Sequence, residues 1–229
     1  MREKLKKIQG VVFDMDGLMF DSERIVQHAG NVAGRQMGYG DLGYENMCHT
    51  IGFNVVRRQE YFLKKYGQNF PFEEFKERYR EAYAAYVKEH GVPAKKGLHE
   101  LLRVLKNRGI PMAIATSSSP AHARGNVEKE GIGDYFVGMI TGDMVTEGKP
   151  SPEIYQKACE LLAIEPSKAL ALEDSLHGIQ AAHKAGMVTV MVPDLVQDSG
   201  LIDGILDGKA ESLLEGAQWM EGESGWTVK

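Results

Sequence analysis

Carboxylates gather in pairs at two places in this chain, Asp14 and Asp16 in VVFDMDG (11–17) and Glu173 and Asp174 in ALALEDS (169–175). Two acids that follow a strand, with Gly17 permitting a sharp turn, can hold a hard cation through oxygen. They can also divide the work of nucleophile and acid/base. The second pair would repel unless something cationic sat between its members. Two further segments lie between the pairs. In AIATSSS (113–119), Thr116 and Ser117 follow an apolar run, where hydroxyls and free backbone N–H groups can cradle an oxyanion. In TEGKPSPEIY (146–155), Lys149 is wedged between Gly148 and Pro150, and Ser151 and Pro152 open a helix. A lysine so constrained can be aimed at a fixed anionic target. Taken singly, these fragments also read as a polar turn, a helix cap and a surface lysine. The string GDMVTEGK is not a nucleotide-binding loop, because five residues separate Gly142 from Gly148 and Pro150 stands where Ser or Thr is needed.

The elements around these residues give them a common location. Short apolar runs at 8–14, 111–116, 137–141, 168–173 and 187–192 read as buried strands, separated by helical patterns at 97–108, 121–130, 152–163 and 175–185. Buried strands without alternation imply a parallel sheet covered on both faces, hence a doubly wound, Rossmann-like α/β core. In such sheets ligands bind outside the carboxyl ends of the strands. All four segments fall at those ends, on one rim. Their chemistry is complementary: a metal and a lysine would neutralise a phosphoryl group while a carboxylate attacks it.

Residues 22–90 break the alternation. They hold no convincing buried strand, and 54–67 and 72–91 have helical patterns. Phe75, Tyr79, Ala82, Tyr83 and Tyr86 recur at helical spacing, which predicts a helix-packing core. The expected organisation is an α/β core domain of residues 1–20 and 92–229 with an inserted helical cap domain of residues 21–91. The two crossings between them form a natural hinge.

D-M-D-G, the Thr of A-T-S-S, the Lys of G-K-P-S-P, and L-E-D-S, in this order and spacing, resemble the four motifs of the haloacid-dehalogenase superfamily. The insert resembles the helical cap of its subfamily I, the subgroup containing β-phosphoglucomutase and many small-sugar-phosphate phosphatases. The resemblance covers nearly the whole chain. It implies that Asp14 attacks phosphorus and becomes an aspartyl phosphate, and that Asp16 protonates the leaving oxygen and then activates water. Thr116, with backbone N–H groups near Ser117 and Met15, would bind the phosphoryl oxygens, and Lys149 would hold Asp14 and the phosphoryl charge together. The implied cofactor is Mg²⁺, bound by Asp14, the Asp16 carbonyl and Asp174, with Glu173 a direct ligand or just behind one. An acid at position 16 argues against a dehalogenase. No lysine among Lys64, Lys65 and Lys76 is marked as the Schiff-base lysine of a phosphonatase.

Phosphatase and mutase share the chemistry at Asp14 and differ in the acceptor. β-Phosphoglucomutases carry a histidine five residues beyond the acid at the cap hinge. Here that acid is Asp21 and the fifth residue is Val26, with His28 out of register. The mutase arginine that follows a cap glycine is also displaced: Gly52 is followed by Phe53, Asn54, Val55 and Val56 before Arg57 and Arg58. The expectation is therefore a phosphatase acting on a small phosphorylated metabolite, with a mutase as the alternative. A non-hydrolytic phospho-receiver or a binding protein is the alternative of another class. In the cap, Asp21 and Asn54 are the candidate substrate contacts, followed by Glu23, Arg57 and Arg78. The remaining histidines, His122 among them, match no metal or triad spacing.

Composition narrows the classes further. The 229 residues are 43% hydrophobic and 26% charged, with a net charge of -5, ordinary for a globular chain able to bury a core. The basic footprint of a nucleic-acid binder is lacking. Two cysteines, Cys48 and Cys159, form no C-x-x-C pair, which fits a reducing compartment. The N-terminal apolar run is too short for a signal peptide, and nothing approaches a membrane span. The expected protein is cytoplasmic, sufficient as a monomer, and independent of nucleic acid polymers and membranes.

Overall fold

The structure, a computed structural model, describes residues 7–50, 55–194, 200 and 202–221. The chain packs as two compact units, Met1–Phe20 with Ala94–Lys229, and Asp21–Pro93.

The first unit is built on a parallel sheet. β1 (Gly10–Phe13), β2 (Met112–Ala115), β3 (Gly138–Ile140), β4 (Ala169–Glu173), β5 (Val188–Met191) and β6 (Gly208–Lys209) form six strands in the order β3-β2-β1-β4-β5-β6. Every neighbouring pair is parallel, with Phe13 opposite Ile114 on one side and Leu172 on the other. β1, β2, β4 and β5 are buried along their whole length, as strands sandwiched between helical layers must be. Their many alanines let helices approach closely. Ala113, Ala115, Ala169 and Ala171 pack against Ile154, Tyr155, Ala158, Ala181 and Ala182 in one cluster.

The sequence order reverses beside β1: β2 and β3 lie to one side, β4 to β6 to the other. The β1/β4 boundary is thus the topological switch point, where a doubly wound sheet leaves an open crevice at its carboxyl edge. Around the sheet run α5 (Leu98–Asn107), α6 (Pro120–Glu130), α7 (Glu153–Leu162), α8 (Leu176–Lys184) and α9 (Leu213–Glu221). α5 buries Leu98, Leu101, Leu102 and Leu105 along one face, as their spacing predicts. α8 starts at Ser175, whose hydroxyl accepts from the Gly178 N–H at 3.1 Å, a side-chain cap at its first turn. The outgoing and returning chain pair at the edge of this unit: Phe20 bridges Ala94, and Lys95 N–H donates to Met19 O at 2.8 Å.

The second unit holds α1 (Ser22–Gln36), α2 (Leu42–Thr50), α3 (Val55–Tyr66) and α4 (Phe72–His90). Its core is aromatic. Phe62, Phe70, Phe72 and Phe75 pack with Ala33 and Leu42, and the Phe62 and Phe75 rings lie 4.8 Å apart. The stripe predicted on α4 is core at its start only: Phe75 is buried, while Tyr79, Ala82, Tyr83 and Tyr86 are half-buried. Tyr86 packs its ring 5.0 Å from that of His28.

Candidate active site

Asp14 is the first residue past β1, and its N–H still donates to Leu172 O at 3.0 Å, extending the β1/β4 ladder into the turn. Glu173 is the last residue of β4 and Asp174 the next. Parallel register therefore delivers three carboxylates to one end of two adjacent strands. All three are buried, and one oxygen from each lies within 4.8 Å of the other two. Lys149 arrives from the loop before α7. Its Nζ donates to Asp14 Oδ1 and to Glu173 Oε1, both at 2.5 Å, and to Ala115 O at 3.2 Å. The Lys149 ammonium also sits 5.0 Å above the centre of the Tyr155 ring.

The two carboxylates that share Lys149 are not equivalent. Both oxygens of Glu173 are occupied by donors: Lys149 and the Tyr155 hydroxyl at 2.7 Å on Oε1, and the N–H groups of Asp174 and Ser175 plus the Ser175 hydroxyl on Oε2. Burial pushes the Glu173 carboxyl up, but Lys149 first, then Tyr155 and Ser175, outweigh it and hold it below the ordinary carboxylate value. Asp14 has Lys149 as its donor. Burial, then the charge of Glu173, pushes its carboxyl well above the ordinary value against the pull of Lys149. Burial would lower Lys149, yet Asp14 and Glu173 more than offset it and keep it firmly protonated. One ammonium thus bridges two of the three buried carboxylates, with Asp174 beside them. A buried surplus of negative charge is costly unless a cation offsets it.

The donor set fits a hard divalent cation: oxygen ligands only, with Asp14 and Asp174 side chains converging. Gly17 keeps this space open. It adopts φ 87°, and a Cβ there would stand 2.1 Å from Asp174 Oδ2, so any side chain would displace that carboxylate. Gly178 does the same for Glu173: a Cβ on this α8 glycine would lie 1.8 Å from Oε1. The Gly178→Ala variant is expected to lose about 1–3 kcal/mol in urea unfolding, together with catalytic rate, because Glu173 must move off Lys149.

Asp16 turns away from the acidic cluster. Its Oδ2 accepts from the Ser118 hydroxyl at 2.6 Å, and its Oδ1 lies 3.3 Å from His122 Nε2. The hydrogen bond with Asp16 raises His122 above its ordinary pKa, against the opposing effect of burial. The Asn126 amide nitrogen lies 3.1 Å from the same ring nitrogen, so the His122 ring is set between Asp16 and Asn126. Thr116, buried at the end of β2, accepts from Ser118 N–H at 3.1 Å through Oγ1, which leaves its own hydrogen for an oxyanion. Ser117 is exposed on the rim beside it.

Of the residues expected from the sequence, Asp14, Lys149, Glu173 and Asp174 form one contact group, while the Asp16 carboxylate is held by Ser118 and His122. Asp21 belongs to the helical unit, where Arg24 Nε lies 3.0 Å from its Oδ2. Asn54 lies outside the described residues. Ser118, His122 and Tyr155 were not singled out by sequence. For His122 the available signal was its place in the first turn of the helix that leaves β2. For Tyr155 it was a hydroxyl on an otherwise apolar face of α7.

The description "Haloacid dehalogenase-like hydrolase" belongs to the family model that matches residues 11–192. The chain is similar to YhcW of Bacillus subtilis (strain 168), 31% identical over 212 residues that cover 91% of this chain and 93% of that one. It is 29% identical to the phosphorylated carbohydrates phosphatase of Thermotoga maritima, over 89% of each. Among solved structures, a mutant of CbbY from Rhodobacter sphaeroides in complex with xylulose-(1,5)bisphosphate superimposes with a TM-score of 0.72 at 27% identity, covering 91% of this chain and 96% of that one. Among the described residues, no helix is long and apolar enough to cross a membrane.

Proposed function

Because this chain belongs to the haloacid dehalogenase-like hydrolase family and is a phosphatase of that family, we propose that it hydrolyses a small sugar phosphate through an aspartyl phosphate on Asp14, with Mg²⁺ as cofactor. The observation that carries this reading is the charge balance of the site: three buried carboxylates around one lysine. That arrangement, a surplus of two negative charges, is costly alone and is balanced when a dication enters, which then also faces the incoming phosphoryl group. The sugar phosphate is supported by the Thermotoga phosphatase and by the bisphosphate-bound CbbY.

Asp14 and Asp174, with the Asp16 main-chain carbonyl, would hold the ion. Glu173, whose oxygens are both taken by donors, would fix Lys149 from behind them. Bound Mg²⁺ supplies positive charge to the phosphoryl oxygens, which lowers the cost of an anionic nucleophile approaching an anionic ester. The roles of the protein's groups follow from their surroundings. Lys149 holds Asp14 Oδ1 in place for in-line attack on phosphorus, so that an Asp14–phosphorus bond forms as the ester bond to the sugar oxygen breaks. Asp16 gives that oxygen a proton, then takes one from the water that cleaves the aspartyl phosphate. Its carboxylate is held by Ser118 and His122 rather than by Lys149, so it would change protonation state while the Lys149 pairings persist. The Thr116 hydroxyl and the N–H groups around Ser117 receive the phosphoryl oxygens. Asp21 and Asn54 are proposed as substrate contacts in the helical unit, which would select the sugar.

The test is phosphate release from a panel including glucose 6-phosphate, β-glucose 1-phosphate, nucleoside monophosphates and phosphoglycolate, with Mg²⁺ or with EDTA. The expected outcome is release that requires Mg²⁺, fastest on a sugar phosphate. Conversion of β-glucose 1-phosphate to glucose 6-phosphate with little free phosphate would replace hydrolysis by mutase transfer. Release unaffected by EDTA would remove the metal from the mechanism.

A further inference from the structure

A cluster of cations lines a cavity of the helical unit. α3 and α4 enclose a cavity of about 120 Å³ whose lining includes Arg58, Lys76 and Arg80 together with Phe72, Phe75 and Tyr79. Phe72, Lys76 and Arg80 follow one another at i, i+4 and i+8 on α4, so one stripe of that helix presents an aromatic ring and then two cations. Like charges at i, i+4 disfavour a helix, and here Arg58 of α3 adds a third cation from across the gap. Local acids do not resolve the charge. Lys76 pairs with Glu73 at the solvent side, but among the described residues no carboxylate pairs with Arg58 or Arg80. Arg58 is the more telling of the two. Its Nε is buried and has no hydrogen-bond partner among the described residues. A guanidinium N–H withdrawn from water without an acceptor is a position most folds avoid, and it is satisfied by an anion placed in the cavity.

We propose that this cavity is an anion-binding site of the helical unit, taking a phosphate-type dianion carried on a short apolar body. Size, charge and wall chemistry lead to this class together. The cavity is smaller than the ~300–1,000 Å³ of sites that enclose drug-sized ligands, so it accepts a head group and a few carbons. Three cations against one carboxylate match a doubly charged group better than a single carboxylate. Arginine is suited to the oxygens of a phosphate through its fork of donors, and Phe72, Phe75 and Tyr79 offer a ring surface to whatever carries it. The inference is independent of the chemistry at Asp14 and stands or falls separately from it.

Phenylphosphonate, which is not a phosphate ester, is the probe, and proton–nitrogen correlation spectra of the full chain at pH 8 with Mg²⁺ are the readout. The Arg58 and Arg80 Nε–H resonances are expected to shift saturably. Arg58→Gln and Arg80→Gln should each weaken that binding at least ten-fold without lowering Tm; Arg80 is exposed, so its replacement leaves packing untouched. Binding of the same probe at the catalytic rim is read separately at the Thr116 and Gly17 amides. Two outcomes overturn the site: Arg58 and Arg80 resonances that stay fixed while the rim responds, or equal shifts with benzyl alcohol, which would make the cavity merely apolar. Kinetics then identify the source of the anion. If it is the far end of the substrate, Arg58→Gln raises KM about ten-fold for a sugar bisphosphate and leaves p-nitrophenyl phosphate unchanged. If it is a separate effector, phenylphosphonate alters kcat on p-nitrophenyl phosphate in the wild type and not in the variant.

Discussion

Replacing Asp14 with asparagine is expected to abolish turnover, by at least about 10⁴-fold, and at the same time to make the metal-free protein more stable. The two effects share one cause. Asp14 is buried beside Glu173, and its carboxyl is held well above the ordinary value by burial first and by Glu173 second. A group whose folded pKa is raised binds its proton more tightly in the native state than in the unfolded chain. Between the unfolded value, near 3.8, and the raised folded value, the native state carries more protons, so stability falls as pH rises. The carboxamide has no such titration. The difference in Tm between Asp14→Asn and wild type should therefore be small at pH values below the ordinary carboxylate range and grow in favour of the variant as pH increases. At neutral pH a gain on the order of 1 kcal/mol, or about 2–4 °C, is expected. Saturating Mg²⁺ should narrow the gap by stabilising the wild type preferentially. Thermal melts of both proteins across pH 4–8, with EDTA and with Mg²⁺, check this. A variant less stable than wild type throughout would mean that the Lys149 pairing outweighs the cost of burying the charge.

Lys149→Met should do the opposite to stability and the same to activity. The ammonium contacts two carboxylates at 2.5 Å and is itself buried. Deleting it leaves Asp14 and Glu173 facing each other without compensation. Breaking a buried ion pair by removing one partner costs about 3–5 kcal/mol, more than the packing lost by an isosteric apolar chain. The kcat should fall by about 10³-fold or more, since the group that positions the nucleophile and balances the phosphoryl charge is gone. Combining Lys149→Met with Glu173→Gln separates the two consequences. The double variant should recover part of the stability, because one of the stranded charges is removed, and none of the activity. Urea unfolding and single-turnover phosphate release measure both. Equal losses in the single and double variants would show that the two residues act independently.

The sequence made the sheet legible where strands are buried on both faces. The runs at 8–14, 111–116, 168–173 and 187–192 lie over β1, β2, β4 and β5, because continuous burial writes itself as continuous apolarity. β6 escaped for the converse reason: it is two residues, Gly208 and Lys209, defined by pairing with β5 rather than by its own composition. Within the site, Asp14, Lys149, Glu173 and Asp174 were readable because each sits within a residue or two of a strand end or in a constrained loop. The neighbours that tune them were not. Tyr155 looks like a helix-core aromatic in sequence, and its hydroxyl meets Glu173 only through the approach of α7 to the sheet. Ser118 and His122 reach Asp16 across more than a hundred residues of chain, a proximity that no local pattern encodes. The α4 stripe shows the limit of periodicity: spacing gave the face, but how deeply that face is buried depends on what covers it.

The strand order also bears on how the protein comes into being. β1 occupies an interior position in the sheet, yet both of its neighbours are encoded far downstream, β2 from Met112 and β4 from Ala169. During synthesis the most apolar strand therefore leaves the ribosome first and waits with both hydrogen-bonding edges open. At ~5–20 residues per second, the roughly one hundred residues before β2 take ~5–20 s to appear, and β4 takes longer. Throughout that interval the nascent chain offers an unpaired, hydrophobic edge, the kind of template on which strands of other chains add. The helical insert, made entirely of elements that pack locally, can fold in the meantime. Chaperone demand in this protein should accordingly track the delay before β2 and β4 emerge: shortening the insert would lessen it, and slow codons placed between the insert and β2 would increase it.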